Sequence, residues 1–290
     1  MAKHISLEKE KEIVDFYKQR PMTLDVLVDK FNLCSPTIGK ILTKYKIKRY
    51  TKSQLYSPNL KEDYFESIDN HKKAYFLGLI ITDGCIYSKN GKASIVSITL
   101  HEKDSYLIEE FIKEIHSNKK MTQDGRGCCE VNISSKKMVS DLRKYGLVER
   151  KSLEAVFPIN LDIQYYPSLI RGIIDGDGSI SYYARKGRKC HIKAIRLCSG
   201  NEKFLLAFVD FLYVNFGIEP VNTYKEKDNL WSIAYRKNDS LIKLIKYLYT
   251  DADIYMKRKK ELCDLVYAEC IQRTDGNTEI TKSTKKDLVS

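Results

Sequence analysis

The feature that most constrains this chain is an apolar segment that occurs twice and ends both times in Asp-Gly. The two copies are Phe76–Gly84 and Ile170–Gly178, and each predicts an apolar helix. The terminal acids, Asp83 and Asp177, would then lie on the last helical turn, where the helix dipole is negative and disfavours a carboxylate. Because the same unfavourable placement occurs twice, we expect another group to compensate the two acids.

Two glycines indicate how the helices meet. Gly78 and Gly172 lie at the same offset before the two acids. A glycine inside a helix costs about 1 kcal/mol relative to Ala unless a close contact uses it. The pattern therefore predicts that the two helices touch backbone to backbone and bring both acids to one end of the pair. Two carboxylates about 5 Å apart would repel by roughly 3 kcal/mol at an effective dielectric near 20, and a divalent cation would reverse the sign.

The residues of the second copy carry a resemblance to a known family. They follow a recognisable motif at four positions, namely Gly172, Asp175, Asp177 and Gly178. Taken together, the two copies resemble the paired motifs of the LAGLIDADG homing endonucleases in their single-chain, two-motif form. The first copy has Ile81 in place of the first motif Asp and Thr82 in place of the small residue, but it keeps Asp83-Gly84. Only the terminal acid is needed for chemistry in that family, so the resemblance still implies activity.

The resemblance also implies a fold, a reaction and a cofactor. The fold class would be α+β, with two pseudo-symmetric αββαββα halves whose curved antiparallel sheets face DNA. The activity would be that of a site-specific DNA endonuclease, which binds a long asymmetric duplex site and hydrolyses both strands to leave short 3′ overhangs. The metal would be Mg²⁺ or Mn²⁺, held by Asp83 and Asp177 with main-chain carbonyls at Gly84 and Gly178.

Family members further place a basic residue near the metal, late in each half. Lys151 is the best match in the first half. In the second half we favour Lys257, but the run Lys257–Lys260 also offers Lys259 because its register is ambiguous. A solvated, charged helix start explains any single one of these lysines as well.

A calcium-binding loop is an alternative interpretation of the second motif. The segment Asp175–Ser179 begins like a calcium loop, but Ile180 takes the position of the required glycine and Lys186 that of the required glutamate. Two alternative functions stay open. One is an intron RNA maturase that assists splicing. The other is a transcription regulator that binds operators without cutting, although the presence of both acids favours a nuclease.

The order of predicted elements after each motif is the same, which indicates two related halves. Strands are predicted at 93–100, 129–134, 179–184 and 192–198 and around Val221 and Trp231, and helices at 104–115, 137–145, 202–216 and 240–249. The predicted domains are a helix-turn-helix at 1–50, a linker at 51–63, halves at 64–155 and 156–271, and a polar, disordered tail at 272–290.

Strand alternation predicts which side chains reach nucleic acid. Val96, Ile98 and Leu100 form an apolar face, which leaves the intervening residues on the other side. Although such polar positions can be merely solvated, we interpret the set as contacts to bases and phosphates. The predicted DNA-binding residues of the sheets are Ser97, Thr99, Tyr183, Arg185, Arg196, Ser232 and Arg236.

The first fifty residues predict a separate DNA-binding module. Amphipathic helices are predicted at 7–18, 24–31 and 35–45. The tight turn Asn32–Cys34 separates the second helix from the third, which is typical of a helix-turn-helix. From Lys40 to Lys52 there are six basic residues and no acidic ones. A plain three-helix bundle with a charged surface is the alternative. The predicted contacts to DNA are Thr37, Lys40, Lys44, Lys48 and Arg49.

Composition agrees with a polyanionic partner. The chain has 290 residues, and 50 basic against 38 acidic residues give a net charge of +12, which suits double-stranded DNA and possible intron RNA. We expect a soluble monomer that does not enter membranes. Its place would be the cytoplasm, associated with the nucleoid, in a bacterium or phage, or an organelle in a eukaryote. The eight cysteines lack zinc spacing and are expected to be reduced, and no histidine is assigned a role.

Overall fold

The computed structural model describes residues 5–89, 93–149, 154, 156–184, 187 and 191–286. The chain divides into two compact units. One comprises Met1–Lys61 with Ile112–Lys120, and the other comprises Glu62–Phe111 with Met121–Ser290. The first unit therefore extends past the predicted boundary at residue 50 and takes in residues 51–61 of the predicted linker 51–63.

The first unit is built from short helices with a shared apolar core. Its helices are α1 (Leu7–Lys18), α2 (Leu24–Phe31), α3 (Ser35–Lys44) and α4 (Lys52–Tyr56). The Ser6 side chain accepts from the Lys9 amide and caps α1, while Asn32 adopts a left-handed conformation with φ 52° and ends α2. The helices α1 to α3 bury Ile13, Leu27 and Ile38 completely. The helix α4 lies in the segment that was predicted to be a linker.

The first half of the second unit alternates helices and strands. Its elements are α5 (His71–Asp83), β1 (Gly84–Lys89), β2 (Ala93–His101), α6 (Ser105–Glu114), β3 (Thr122–Gln123), β4 (Cys128–Ser134) and α7 (Lys136–Lys144), although the end of α6 from Ile112 onward belongs to the first unit. The strands form an antiparallel sheet in the order β1-β2-β4-β3. A 3₁₀ turn at Glu102–Asp104 precedes α6, so this helix starts one residue later than its apolar periodicity predicts.

The second half repeats this order and adds a C-terminal helix. They are α8 (Tyr166–Asp177), β5 (Gly178–Ala184), β6 (His191–Ser199), α9 (Glu202–Phe216), β7 (Tyr224–Lys227), β8 (Leu230–Tyr235), α10 (Asn238–Tyr249) and α11 (Lys257–Lys286). The sheet order is β5-β6-β8-β7, which matches the first sheet strand for strand. The mixed α+β fold with two antiparallel sheets therefore confirms the predicted fold class.

Two predicted segments differ from the structure. The strand expected around Val221 begins at Tyr224. Residues 272–286 of the tail that was expected to be disordered continue α11, and residues 287–290 lie outside the described residues. Its beginning is anchored by buried Cys263, Val266 and Cys270, and a helix that is already nucleated extends at little cost per residue.

Each sheet has one face packed on helices and one open face. In β2, Val96, Ile98 and Leu100 are buried, and in β6 the same holds for Ile195 and Leu197. Residues between them point to the other side. On that side the large rings of Tyr87, Tyr183 and Tyr224 are about half exposed. No helix in the described part of the chain is both long and apolar enough to cross a bilayer.

Candidate active site

The helices α5 and α8 touch along two glycines, one from each. A Cβ added to Gly78 would overlap the Leu169 carbonyl and stand 3.0 Å from the Ile173 amide nitrogen. A Cβ added to Gly172 would overlap the Tyr75 carbonyl and stand 2.9 Å from the Leu79 amide nitrogen. The two glycines thus serve reciprocal backbone contacts, and neither helix leaves room for a methyl group.

A third glycine brings the acids to the same end of the pair. A Cβ added to Gly176 would overlap the Thr82 side chain and stand 3.2 Å from Asp83 Oδ2. The Asp83 carboxylate therefore lies beside Gly176 in the last turn of α8, and Gly176 is the residue before Asp177. Asp83 is half-buried and Asp177 is exposed. Gly176 was not among the predicted contact glycines, although its place between two aspartates was a signal for close packing.

The end of α8 carries a buried cation that was not assigned there from the sequence. The Lys259 ammonium donates to the carbonyls of Ile174 at 2.8 Å, Gly176 at 3.1 Å and Gly178 at 2.6 Å, and also to that of Asp175. A positive charge at a helix C-terminus is favourable, and it satisfies carbonyls that have no partner within the helix. Burial lowers the pKa of Lys259, whereas the charge of Asp175 opposes that shift.

This arrangement separates the two lysines that the sequence left ambiguous. Lys257 is exposed. Its amide donates to the Tyr106 hydroxyl at 2.7 Å, and its ammonium stands 4.7 Å from the centre of the Tyr106 ring. The structure thus places Lys259, not the favoured Lys257, at the end of the motif helix. Lys151, its predicted counterpart, lies outside the described residues.

The first acid of the second motif holds the start of α11. Asp175 Oδ2 accepts from the Tyr75 hydroxyl at 2.8 Å and from the Met256 amide at 2.7 Å. The carboxyl is fully buried, and burial raises its pKa to about 6 even though the Met256 amide favours the charged form. In the first motif, Ile81 occupies the position of Asp175. Because the isoleucine side chain cannot accept hydrogen bonds, the first half lacks the equivalent of these two bonds.

A buried arginine supports the same region. The Arg171 guanidinium donates to the Ile254 carbonyl at 2.7 Å, to the Ser168 hydroxyl at 3.0 Å and to the Leu248 carbonyl. Arg171 is only 2% exposed, and burial lowers its pKa. By binding carbonyls between the end of α10 and the start of α11, it fixes the chain that delivers Lys259.

The carbonyls of Gly84 and Gly178 were predicted to be metal ligands. The Gly84 amide donates to the Ile80 carbonyl and the Gly178 amide to the Ile174 carbonyl, so both glycines end their helices in extended conformation. The Gly178 carbonyl accepts from Lys259 at 2.6 Å and is buried. That carbonyl is therefore committed to an internal cation, which argues against Gly178 as a metal ligand.

A metal ion at this end of the helix pair would meet two carboxylates, those of Asp83 and Asp177. Within the residues that the structure describes, no group of three or more His, Cys, Asp or Glu side chains could hold an ion. Mg²⁺ is commonly bound by one or two carboxylates together with substrate phosphates and water, instead of a complete protein cage. Asp83 and Asp177 fit that mode of binding because both keep solvent access at the same end of the helix pair.

The open sheet faces differ in detail from the predicted contacts. Ser97 is only 5% exposed and donates to Glu130 Oε1 at 2.7 Å. Ser232 is 3% exposed and donates to Glu226 Oε1 at 2.5 Å. Ser97 and Ser232 were predicted to contact DNA. In the structure, however, both hydroxyls are buried and donate to neighbouring carboxylates.

The other predicted sheet contacts are more accessible. Arg196 forms an ion pair with Glu226 at 2.6 Å and keeps 38% of its side chain exposed. Thr99, Tyr183 and Arg236 are exposed, while Arg185 lies outside the described residues.

In the first unit, the predicted contacts cluster on and after α3. Lys40 and Lys48 are exposed. Lys44 is paired with Glu10 at 2.5 Å. The Arg49 guanidinium lies 2.7 Å from where a Cβ on Gly39 would stand. Thr37 Oγ1 contacts Cys34 Sγ at 3.0 Å. Of the five predicted residues, Lys40 and Lys48 are therefore the most accessible to a phosphate.

Comparison with known proteins agrees with this geometry. A family model described as the LAGLIDADG-like domain matches residues 165–249, which hold the second motif helix and its sheet. The chain has the LAGLIDADG fold. No curated protein sequence matches it.

Three solved structures show the same LAGLIDADG architecture. The homing endonuclease I-GzeII in complex with its DNA target has a TM-score of 0.52 at 16% identity, covering 74% of this chain and 95% of that one. The meganuclease I-AabMI bound to uncleaved DNA has a TM-score of 0.50 at 15% identity, with coverages of 72% and 96%. I-SmaMI, bound to uncleaved DNA in the presence of calcium ions, has a TM-score of 0.50 at 14% identity, again with coverages of 72% and 96%.

Proposed function

We propose that this chain is a site-specific DNA endonuclease that hydrolyses both strands of a duplex site with a divalent metal. The observation that carries the proposal is the close approach of Asp83 to Gly176, which brings two carboxylates to one end of a rigid helix pair. The LAGLIDADG fold and the DNA-bound neighbours I-GzeII, I-AabMI and I-SmaMI support it.

The two acids would hold the metal, which we propose to be Mg²⁺ with Mn²⁺ as a substitute. A divalent ion bound there supplies Lewis-acid chemistry, since it polarises the scissile phosphate and favours deprotonation of the attacking water. Asp83 and Asp177 contribute the negative charge that attracts the ion. Their position on the last turns of packed helices fixes the distance between them, because reciprocal glycine contacts leave the helices no freedom to slide.

Lys259 has a positioning role in this proposal. Its ammonium donates to carbonyls at the end of α8, so it holds the turn that carries Asp177. A lysine has three donors, and all of them are needed for these carbonyls. Lys259 would therefore act by orienting the acid, whereas a direct contact to phosphate would require it to leave the helix end.

Duplex DNA would be recognised by the open faces of both sheets and by the first unit. Thr99, Tyr183, Arg196 and Arg236 are the accessible sheet candidates. Lys40 and Lys48 are the exposed candidates near α3. We propose that the first unit is a helix-turn-helix that adds phosphate contacts outside the cleavage site, because each neutralised phosphate releases counterions and strengthens binding.

The proposed function is tested with Asp83→Asn and Asp177→Asn. Asparagine keeps the size of the side chain but removes the charge that attracts a cation. Each variant should bind the duplex selected by the unsubstituted protein and fail to cut at least one strand in Mg²⁺. Exposed Asp228→Asn is a matched control in the same unit and should cut normally. Full double-strand cleavage by both single variants would overturn the assignment.

A further inference from the structure

The open faces of the two sheets carry a carboxylate at equivalent places. Ser97 in β2 pairs with Cys85, the residue after Gly84, and Arg196 in β6 pairs with Ser179, the residue after Gly178. Ser97 and Arg196 therefore occupy the same position in the two halves. Each contacts a glutamate, since Ser97 donates to Glu130 and Arg196 pairs with Glu226.

The two glutamates reach this place from different strands. Glu130 lies in β4, opposite Thr99 of β2. Glu226 lies in β7, where the pairing with β8 shifts register between Lys225 and Lys227. An irregularity of this kind re-aims a side chain, and here it directs Glu226 onto Ser232 and Arg196. The position of the carboxylate is thus the same in both halves, although its origin in the chain is not.

An acidic group is unexpected on a surface proposed to meet DNA, because phosphates repel it. The chain carries a net charge of +12, and the carboxylates lie among its polar and basic sheet residues. The base edges in the DNA grooves, unlike the phosphates, include hydrogen-bond donors that attract a carboxylate. The N4 amino group of cytosine is a donor in the major groove, and a glutamate can accept from it.

The contacts within the protein leave that capacity intact. A carboxylate offers about four acceptor sites. Ser97 uses one oxygen of Glu130, while Ser232 and Arg196 share Oε1 of Glu226. The hydrogen bond from Ser232 lowers the pKa of Glu226, and the nearby Arg196 charge acts in the same direction. Glu226 therefore stays ionised and held in one orientation.

We propose that Glu130 and Glu226 are specificity-determining residues, each of which reads a cytosine amino group in its own half of the DNA site. The inference rests on the proposed function, since it requires the open sheet faces to meet duplex DNA. Arg196, beside Glu226, would read a neighbouring guanine.

The test uses the full chain and a library of randomised DNA duplexes. Binding in Ca²⁺ selects preferred sites, and single-position variants of the selected site are then measured for binding in Ca²⁺ and cleavage in Mg²⁺. Glu130→Gln and Glu226→Gln keep an acceptor for the serines but add an amide donor. Gln pairs with adenine, so each variant should lose preference for cytosine at one position, in opposite halves, and prefer adenine there by about tenfold.

Glu109→Gln on α6 and Glu261→Gln on α11 are matched controls, since both glutamates are exposed and lie on helices. Their profiles should equal that of the unsubstituted protein. The inference is overturned if the two sheet variants leave every position unchanged, weaken all sequences equally, or change only a guanine preference. It also fails if no sequence is enriched by binding.

The outcome separates this inference from the nuclease itself. If sites with the expected cytosines are bound but none is cut in Mg²⁺, the proposed function fails and the reading of cytosine stands. If the sites are cut and the glutamine variants keep the original profile, the nuclease stands and the reading of cytosine fails.

Discussion

The hydroxyl of Tyr75 donates to Asp175 Oδ2 at 2.8 Å, and this buried hydrogen bond joins α5 of the first half to α8 of the second. The same oxygen accepts from the Met256 amide at the start of α11. One carboxyl group therefore links the helix pair to the helix that supplies Lys259. The charge state of Asp175 should influence the stability of the second unit.

The pKa of Asp175 gives a pH dependence of defined sign. Burial raises it from 3.8 to about 6, so the folded state binds this proton more tightly than the unfolded state does. Protonation of Asp175 therefore contributes to the free energy of unfolding below pH 4, and this contribution is lost as the pH rises to about 6. Relative to Asp175→Asn, the unsubstituted protein should lose about 3 kcal/mol of stability across that window, at roughly 1.4 kcal/mol per pKa unit. Denaturant unfolding of both proteins at pH 4 and 7 measures the difference, and equal differences would contradict the prediction.

Substitution of the interface glycines should disrupt the helix pair. Gly78→Ala and Gly172→Ala each place a methyl group on a backbone carbonyl of the partner helix, where no flexible atom can move aside. We expect a loss of about 3 kcal/mol or more in unfolding free energy, at the upper end for overpacked cores.

Gly39→Ala is the matched control for these glycines. Gly39 also lies inside a helix, but only the flexible end of Arg49 approaches it. Its replacement should be neutral or stabilise by up to about 1 kcal/mol through helix propensity. Chemical denaturation measures the free energy of unfolding of the three variants. If all three have similar values, the helices α5 and α8 do not meet through their backbones at Gly78 and Gly172.

Lys259→Met should be far more damaging than Lys257→Met. Methionine has a similar length but removes the donor that Lys259 supplies to the carbonyls at the end of α8, of which that of Ile174 keeps the Gly178 amide as a donor. Each buried group left unsatisfied costs about 1–3 kcal/mol. We also expect double-strand cleavage to fall, because Asp177 is no longer held. Lys257→Met loses only an exposed contact with the Tyr106 ring, which is typically worth about 0.5–1 kcal/mol. Unfolding curves and plasmid cleavage rates distinguish the two, and the reverse order would restore Lys257 as the site residue.

The lysines of the first unit should contribute unequally to DNA binding. Lys40→Ala removes an exposed charge beside α3, so the slope of log affinity against log salt should fall by about 1. Lys44→Ala should change the slope less, since that ammonium is paired with Glu10. Lys9→Ala, an exposed residue on α1, serves as the control. A titration of binding at several salt concentrations measures all three, and three equal slopes would speak against recognition through α3.

The motif spacing was sufficient to predict the parts of the site that depend on local pattern. The offsets of Gly78 and Gly172 from the acids indicated a backbone contact, and periodicity gave α1, α2 and α9 with their observed ends. Contacts between distant residues were not predictable in this way. The choice between Lys257 and Lys259 depends on how α11 meets α8, and the covering of Ser97 by Glu130 depends on cross-strand register. Neither is encoded in a short window of sequence.

The two acids of the helix pair have unequal surroundings, for Asp83 is half-buried beside Gly176 while Asp177 is exposed. Two scissile phosphodiesters placed over such a pair would not be hydrolysed at the same rate. A supercoiled plasmid that carries the target should therefore pass through an open circle, nicked in one particular strand, before it becomes linear.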